Sequence, residues 1–212
     1  MIQFRHGFYA DVRTEDRSRT TITYKSGALE EMKTRVERRA FIRVYDGKMW
    51  YYSSVTDLAH LQKTLDGLYD AATPNADIQN DPVVRRFERN RDTLLSFADS
   101  SVRDIPSKDK QALLLSYLPL LSEDSCITMP RGTYLDRNSL FRFRSSLGAD
   151  ITYDYQTCGL SFACDMTEGE KKFSGHWQKG ATRFDELKGL DDEIRAAMAE
   201  QTAFMRNSVP VT

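Results

Sequence analysis

The sequence predicts an α+β fold of two similar lobes, each an antiparallel strand meander followed by a helix, with the helices packed on the sheet. Three observations carry that prediction. Apolar residues alternate with polar ones over short runs, the period of a strand. Asp46-Gly47 separates two such runs, and Asp-Gly between apolar runs favours a hairpin whose type I′ turn needs positive φ at both central residues. A helix-period stripe, Leu58, Leu61, Leu65, Leu68 and Ala72, follows directly, with its start placed at Thr56.

In chain order, residues 8–13 alternate, with Phe8, Ala10 and Val12 on one face and Tyr9, Asp11 and Arg13 on the other. Residues 14–19 read as a polar turn, and 20–25 as a β-branched strand ended by Ser26-Gly27. Residues 28–37 carry helical propensity but lie between strands joined by short turns, and are read as a strand. Ala40, Ile42 and Val44 then face opposite to Phe41, Arg43 and Tyr45. Met49, Trp50, Tyr51 and Tyr52 are apolar or aromatic on both faces, as in a strand covered on both sides.

Residues 73–82 are a turn-rich break. Residues 83–97 read as a helix, with Val84, Phe87, Arg91, Leu94 and Leu95 near one face. A further helix is expected to be capped by Ser107, with Asp109 in its first turn and Pro119 ending or kinking it. Strands return at 126–129, ending at Pro130, then around Leu140, Phe141 and Phe143, then at 151–155, 160–164 and 173–177, with turns at 145–148 and 167–169. Asp191 begins a last helix with Ile194, Ala197, Met198 and Met205 inward. Each half thus reads as four or five strands and a helix, a likeness of pattern without residue identity. A structural duplication would fail if the two halves had different strand orders. By chain order the divisions are 1–73, a connector 74–106, and 107–212, together one N-terminal domain of a longer protein.

Composition narrows function. With 212 residues, 40% of them hydrophobic, the chain can bury a large domain or two small lobes. A net charge of −1 gives no global field for nucleic acid or anionic lipid. No apolar run reaches the ~18 residues of a membrane helix, and the first residues lack a secretory pattern, so a cytoplasmic protein without a membrane partner is expected. Cys126, Cys158 and Cys164 fit no disulfide framework. Cys158 and Cys164 would lie ~20 Å apart along a strand, so all three read as buried thiols.

Candidate chemistry is sparse. His6, His60 and His176 include no pair at helical ligand spacing, and no nucleophile elbow, P-loop or dinucleotide fingerprint is present. The pairs Glu30-Glu31 and Asp191-Asp192 read as solvated or helix-start charges. Arg35, Arg38, Arg39 and Arg43 cluster beside Phe41 and Trp50, a composition that could stack single-stranded nucleic acid. Glu30, Glu31 and Glu37 offset them, so nucleic acid is not expected as a partner. Trp50, Tyr51 and Tyr52 could contact a peptide laid along a sheet edge, or pack in the core.

Several short motifs carry a resemblance: Tyr9-Ala10-Asp11-Val12-Arg13; Ser26-Gly27-Ala28-Leu29-Glu30; Ala40-Phe41-Ile42-Arg43-Val44 with Gly47, then Trp50-Tyr51-Tyr52-Ser53-Ser54; Tyr69-Asp70-Ala71-Ala72; and Ser145-Ser146-Leu147-Gly148-Ala149-Asp150. Together they resemble the N-terminal domain of the TldD/PmbA family, bacterial and archaeal metallopeptidases also labelled modulators of DNA gyrase. The family usually has glycine where Arg39 stands, asparagine where Ser145 stands, and glycine where Trp50 or Tyr51 stands, so this chain would be a divergent member. The resemblance implies a metal-binding helix of the H-E-x-x-x-H kind beyond Val209-Pro210-Val211, where the next strand is expected to begin. This chain has no such motif, so no catalytic, metal-binding or cofactor-binding residue is assigned and no substrate-binding residue is singled out. The resemblance further implies zinc in a C-terminal domain, contact with that protease domain, a homo- or heterodimer with a related subunit, and a peptide or unfolded-protein substrate. The alternative is a stand-alone interaction scaffold without enzymatic activity.

Overall fold

The computed structural model describes residues 2–209. The expected lead-in to a further strand at 209–212 falls, apart from Val209, outside the described residues. Seven strands form one sheet: β1 (Tyr9–Lys25), β2 (Ala28–Tyr45), β3 (Trp50–Val55), β4 (Arg91–Leu94), β5 (Ile127–Ser145), β6 (Asp150–Glu168) and β7 (Lys171–Ala181). The order is β3-β2-β1-β5-β6-β4, with β7 also pairing β6. Among the described residues three α-helices accompany it: α1 (Leu61–Ala71), α2 (Ser107–Tyr117) and α3 (Asp191–Asn207). The α+β fold class therefore holds.

Each half of the chain supplies a three-strand meander and then a helix. From β1 outward the first runs β1, β2, β3; from β5 outward the second runs β5, β6, β7. The three meander strands follow the same order in both, while β4, paired with β6, has no counterpart in the first. The strands are fewer and longer than the sequence suggested. Residues 14–19, expected to be a turn, are the middle of β1, because their charges find partners on neighbouring strands. The expected stop at Pro130 is also absent: β5 runs through it. A proline forfeits only its N–H, and the Pro130 carbonyl still accepts from Ser26 N at 2.7 Å.

Contacts group the residues into two units that share the long strands. One holds the stretch through Arg17, Val36–Ala98 and Ser139–Tyr155. Its sheet is covered on one face by α1, where Phe8, Ala10, Val12, Ala40, Ile42 and Val44 pack on Leu61, Leu65 and Tyr69. The opposite face is covered only at one end, where Tyr9 and Tyr45 meet Ile78 and Val84. The other unit holds Ser18–Arg35, Asp99–Asn138 and the stretch from Gln156. Its core joins Ile22, Leu114, Leu121, Tyr134, Leu160, Phe162 and Met166 to Ile194, Met198 and Met205 of α3.

Local expectations divide in an instructive way. Ser26 (φ 48°) and Gly27 (φ 81°) both have positive φ, so the paired left-handed geometry occurs there. Between β2 and β3 only Gly47 is left-handed, at φ 95°, within a four-residue loop spanning from Tyr45 to its partner Trp50. Asp46 organises that loop, its carboxylate accepting from Lys48 N and Met49 N, both at 2.8 Å. This uses the aspartate as an acceptor and not as a left-handed residue.

Thr56 does not start α1. A 3-10 turn at Leu58–His60 precedes it, and Asp57 accepts from Ala59 N at 3.0 Å. Ser107 makes no capping bond; it is the first residue of α2, after Pro106. The helix expected at 83–97 is instead a 3-10 turn, Val84–Arg86, followed by β4, which pairs in parallel with β6. Its apolar positions never formed one buried stripe. Val84 is buried, whereas Leu94 and Leu95 are exposed, and Asp154 takes Ser96 N and Phe97 N.

Candidate functional site

The least expected arrangement lies on the half-covered face of the first unit. Asp11, Arg13 and Glu15 of β1 share this face with Arg39, Phe41 and Arg43 of β2, Ser54 of β3, and Ser139 and Phe141 of β5. Alternation along an extended chain puts every second side chain there. At the covered end, Tyr9 stacks on Phe87 with centroids 4.4 Å apart, and Trp50 stacks on Tyr45 at 4.8 Å. Further along, the face opens into a groove of about 490 Å³, lined by Arg13, Glu15, Arg39, Phe41, Ser54 and Phe141 with the end of β3. Phe41 is exposed, and Phe141 stacks on Tyr153 at 4.9 Å.

The charges here are paired with care. Arg43 grips the buried Asp11 with both nitrogens, Nη2 to Oδ2 at 2.7 Å and Nε to Oδ1 at 3.1 Å. Its guanidinium also lies 4.7 Å from the Trp50 ring centroid. Glu15 is buried and accepts from Arg39 Nε at 2.6 Å, Arg17 Nε at 2.9 Å and Ser139 Oγ at 3.0 Å. Burial alone would raise its carboxyl, but these donors outweigh burial and hold it below the usual carboxylate range. Arg38, on the other face, bonds Asp16 at 2.8 Å.

The four-arginine cluster therefore splits. Arg38, Arg39 and Arg43 each meet an acid of β1, and Arg35 is exposed on β2. The aromatic trio splits too. Trp50 packs beside Tyr45; Tyr51 packs toward the α1 side and reaches Asp46 at 3.3 Å; only Tyr52 stands exposed, 6.2 Å from Phe41. Core packing thus accounts for two of the three.

Other candidates stay apart. His6, His60 and His176 are exposed. His60 Nδ1 meets Asp57 at 2.8 Å, and His176 Nε2 meets Ser161 at 3.3 Å. Among the described residues no three His, Cys, Asp or Glu side chains are grouped to hold a metal ion. The cysteines are buried and free. Burial pushes the Cys158 thiol up to about 12, far from the thiolate that a nucleophile needs.

Two features escaped sequence reading. Glu15 was hidden by reading its segment as a turn; its alternation with Asp11 and Arg13 was the available sign. In the second unit, Lys110 of α2 and Asp136 of β5 form a fully buried ion pair at 2.6 Å. Asp136 also accepts from Tyr134 Oη at 2.9 Å and Thr20 N at 3.0 Å. Both side chains are at most 2% exposed.

Comparison with known proteins gives consistent results. Residues 10–72 match the family model described as PmbA/TldA metallopeptidase domain 1. Among solved structures, the fold matches a candidate modulator of DNA gyrase from Thermotoga maritima with a TM-score of 0.75 at 16% identity, over 97% of this chain and 46% of that one. It matches a second such protein, from Bacteroides thetaiotaomicron, with a TM-score of 0.68 at 17% identity, over 91% and 45% of the two chains. It also matches TldE from Thermococcus kodakarensis with a TM-score of 0.73 at 10% identity, over 96% and 46%. At these identities the likeness is one of fold. The chain spans about half the length of these structures. No curated protein matches it.

Proposed function

From a chain that resembles the N-terminal domain of the TldD/PmbA family, in sequence over residues 10–72 and in fold almost throughout, we propose a non-catalytic role within a longer zinc metallopeptidase. The chain forms part of the substrate cavity and of the subunit contact, and zinc is held by a C-terminal domain. The substrate is a peptide or an unfolded protein segment, and the partner is a related subunit in a homo- or heterodimer. Three unpaired thiols fit a reducing cytoplasm. No described helix is long and apolar enough to cross a membrane.

The observation that carries this reading is the end strand β3 beside the open groove. β3 is terminal in the sheet order, so among the described residues one side of its backbone has no strand partner. Tyr52 stands exposed on β3 itself and Phe41 on the neighbouring β2. An extended peptide can add to such an edge through main-chain hydrogen bonds that are indifferent to its sequence, as a broad peptidase requires.

The scaffold reading has its own support. In the second unit, residues 28–35 of β2 are exposed throughout, with Leu29 and Met32 projecting. An uncovered edge of that kind suits a second protein chain. Incubating the chain with zinc and a mixture of unstructured peptides separates the readings. Peptide binding without turnover, unchanged by a chelator, is expected. Turnover by this chain alone would overturn the non-catalytic assignment. A stable protein complex that peptides do not compete for would favour the scaffold.

A further inference from the structure

We propose that Arg13 is a receptor for the free C-terminal carboxylate of a peptide, and that Phe41 and Phe141 flank the last side chain, which is apolar. This rests on the peptide-holding role above and specifies which part of the peptide the groove takes.

The pairs along β1 and β2 keep one spacing: 11 with 43, 15 with 39, 16 with 38, and 20 with 34, each adding to 54. On the open face the row therefore reads Asp11 opposite Arg43, then Arg13 opposite Phe41, then Glu15 opposite Arg39. At the first and third positions an acid meets an arginine. At the middle position an arginine faces a phenyl ring. Arg13 is exposed and, among the described residues, has no carboxylate partner. It lines the groove between Phe41 on β2 and Phe141 on β5. Three carboxylates, Asp11, Glu15 and Glu37, stand against four guanidiniums, Arg13, Arg17, Arg39 and Arg43. The excess is positive, so an anion complements it.

The anion's chemistry follows from its neighbours. A guanidinium offers two parallel donors that match a carboxylate. The rings on either side exclude water and favour an apolar group next to that carboxylate. Ser54 and Thr56, also at the groove, add hydroxyl partners. A peptide whose last residues leave the β3 edge and cross the face over Ser54 and Phe41 would bring its terminal carboxylate and last side chain together to Arg13, which an internal acidic residue does not do.

The test uses the 212-residue chain and three N-acetylated tetrapeptides: one ending in phenylalanine as the free acid, the same peptide as the amide, and an amide carrying an internal glutamate. Affinities are read by isothermal titration calorimetry. The free acid is expected to bind about tenfold more tightly than either amide, the difference made by hydrogen bonds to one charged group. Arg13→Gln should weaken the acid about tenfold and leave the amides unchanged. Phe141→Leu should weaken acid and amide alike. Arg13 is exposed, so the variant's fold is checked by its unchanged melting temperature. Equal binding of acid and amide, or an acid affinity unmoved by Arg13→Gln, overturns the carboxylate assignment and leaves peptide holding intact. An advantage for the internal glutamate overturns the terminal assignment. Failure of every peptide to bind removes peptide holding as well.

Discussion

Replacing Lys110 by methionine tests the buried pair in the second unit. The substitution keeps most of the side-chain volume and removes the ammonium 2.6 Å from Asp136. Both residues are about 2% exposed or less, so water cannot take over. Asp136 would keep Tyr134 Oη and Thr20 N as donors but lose its countercharge. Breaking one side of a buried pair costs about 3–5 kcal/mol, because a charge is left uncompensated. That is a large part of the ~5–15 kcal/mol that holds a typical domain. Asp136→Asn alone should cost a similar amount, since it strands the ammonium. In the double variant neither charge remains, and the asparagine can still accept from Thr20 N. It should be more stable than either single variant, with a coupling of at least ~2 kcal/mol. Urea unfolding followed by circular dichroism gives the three values. A Lys110→Met cost below about 1 kcal/mol, or a double variant that merely adds the two losses, would refute the reasoning.

Two further outcomes concern the first unit. Gly47→Ala should destabilise by about 1–3 kcal/mol in the same unfolding assay. Its φ is 95° and an added Cβ would come 2.6 Å from Asn75 Nδ2, whereas the same change at Gly67 meets nothing within 4 Å and should be tolerated. Acid should weaken this unit through Asp46 and Glu15. Burial would raise both carboxyls, but the Met49, Lys48 and Thr73 N–H groups on Asp46, and Arg39, Arg17 and Ser139 on Glu15, bring both below their ordinary values. The stability they contribute is therefore full above the unfolded carboxylate pKa of ~4 and disappears as pH falls through the lower folded value. Asp46→Asn and Glu15→Gln should each flatten that acid limb. A limb of unchanged steepness in both would show the carboxyls to be indifferent.

Regular apolar alternation was enough to place the strand faces around Ala10, Ile42 and Phe162, and helical periodicity was enough to place α1 and α3. What alternation could not reveal is where a polar run stays extended. Residues 14–19 contain no apolar side chain to mark a face, yet they continue β1. The helix expected at 83–97 failed for the reverse reason. Its apolar residues were spaced acceptably but serve different ends, Val84 and Phe87 as cover for Tyr9 and Leu94 as part of an exposed edge strand. Of the candidate site, Phe41, Arg39 and Arg43 were visible in sequence as a cluster. That Arg39 and Arg43 are neutralised while Arg13, among the described residues, meets no acid depends on which side chains β1 and β2 set opposite one another, a long-range pairing that local pattern does not encode.

That pairing also explains how β1 and β2 hold their register. The apolar face alone does not settle it. A shift of two residues keeps Ala10 and Val12 on the same side as Ala40, Ile42 and Val44, so hydrophobic alternation tolerates the error. The charges do not. With the spacing reduced by two, Glu15 would face Glu37 and Arg13 would face Arg39. With it increased by two, Arg13 would face Arg43 and Arg17 would face Arg39. Each slip separates Asp11 from Arg43 and Glu15 from Arg39 and sets like charges opposite beside the buried acids, where they destabilise a sheet, whereas the like pair of the native register, Arg19 and Arg35, is exposed. The buried acids of β1 thus select among registers that the core would accept. Arg13 takes part in that selection by repulsion, facing Arg39 in one slip and Arg43 in the other, and in the native register it faces Phe41 and, among the described residues, no acid.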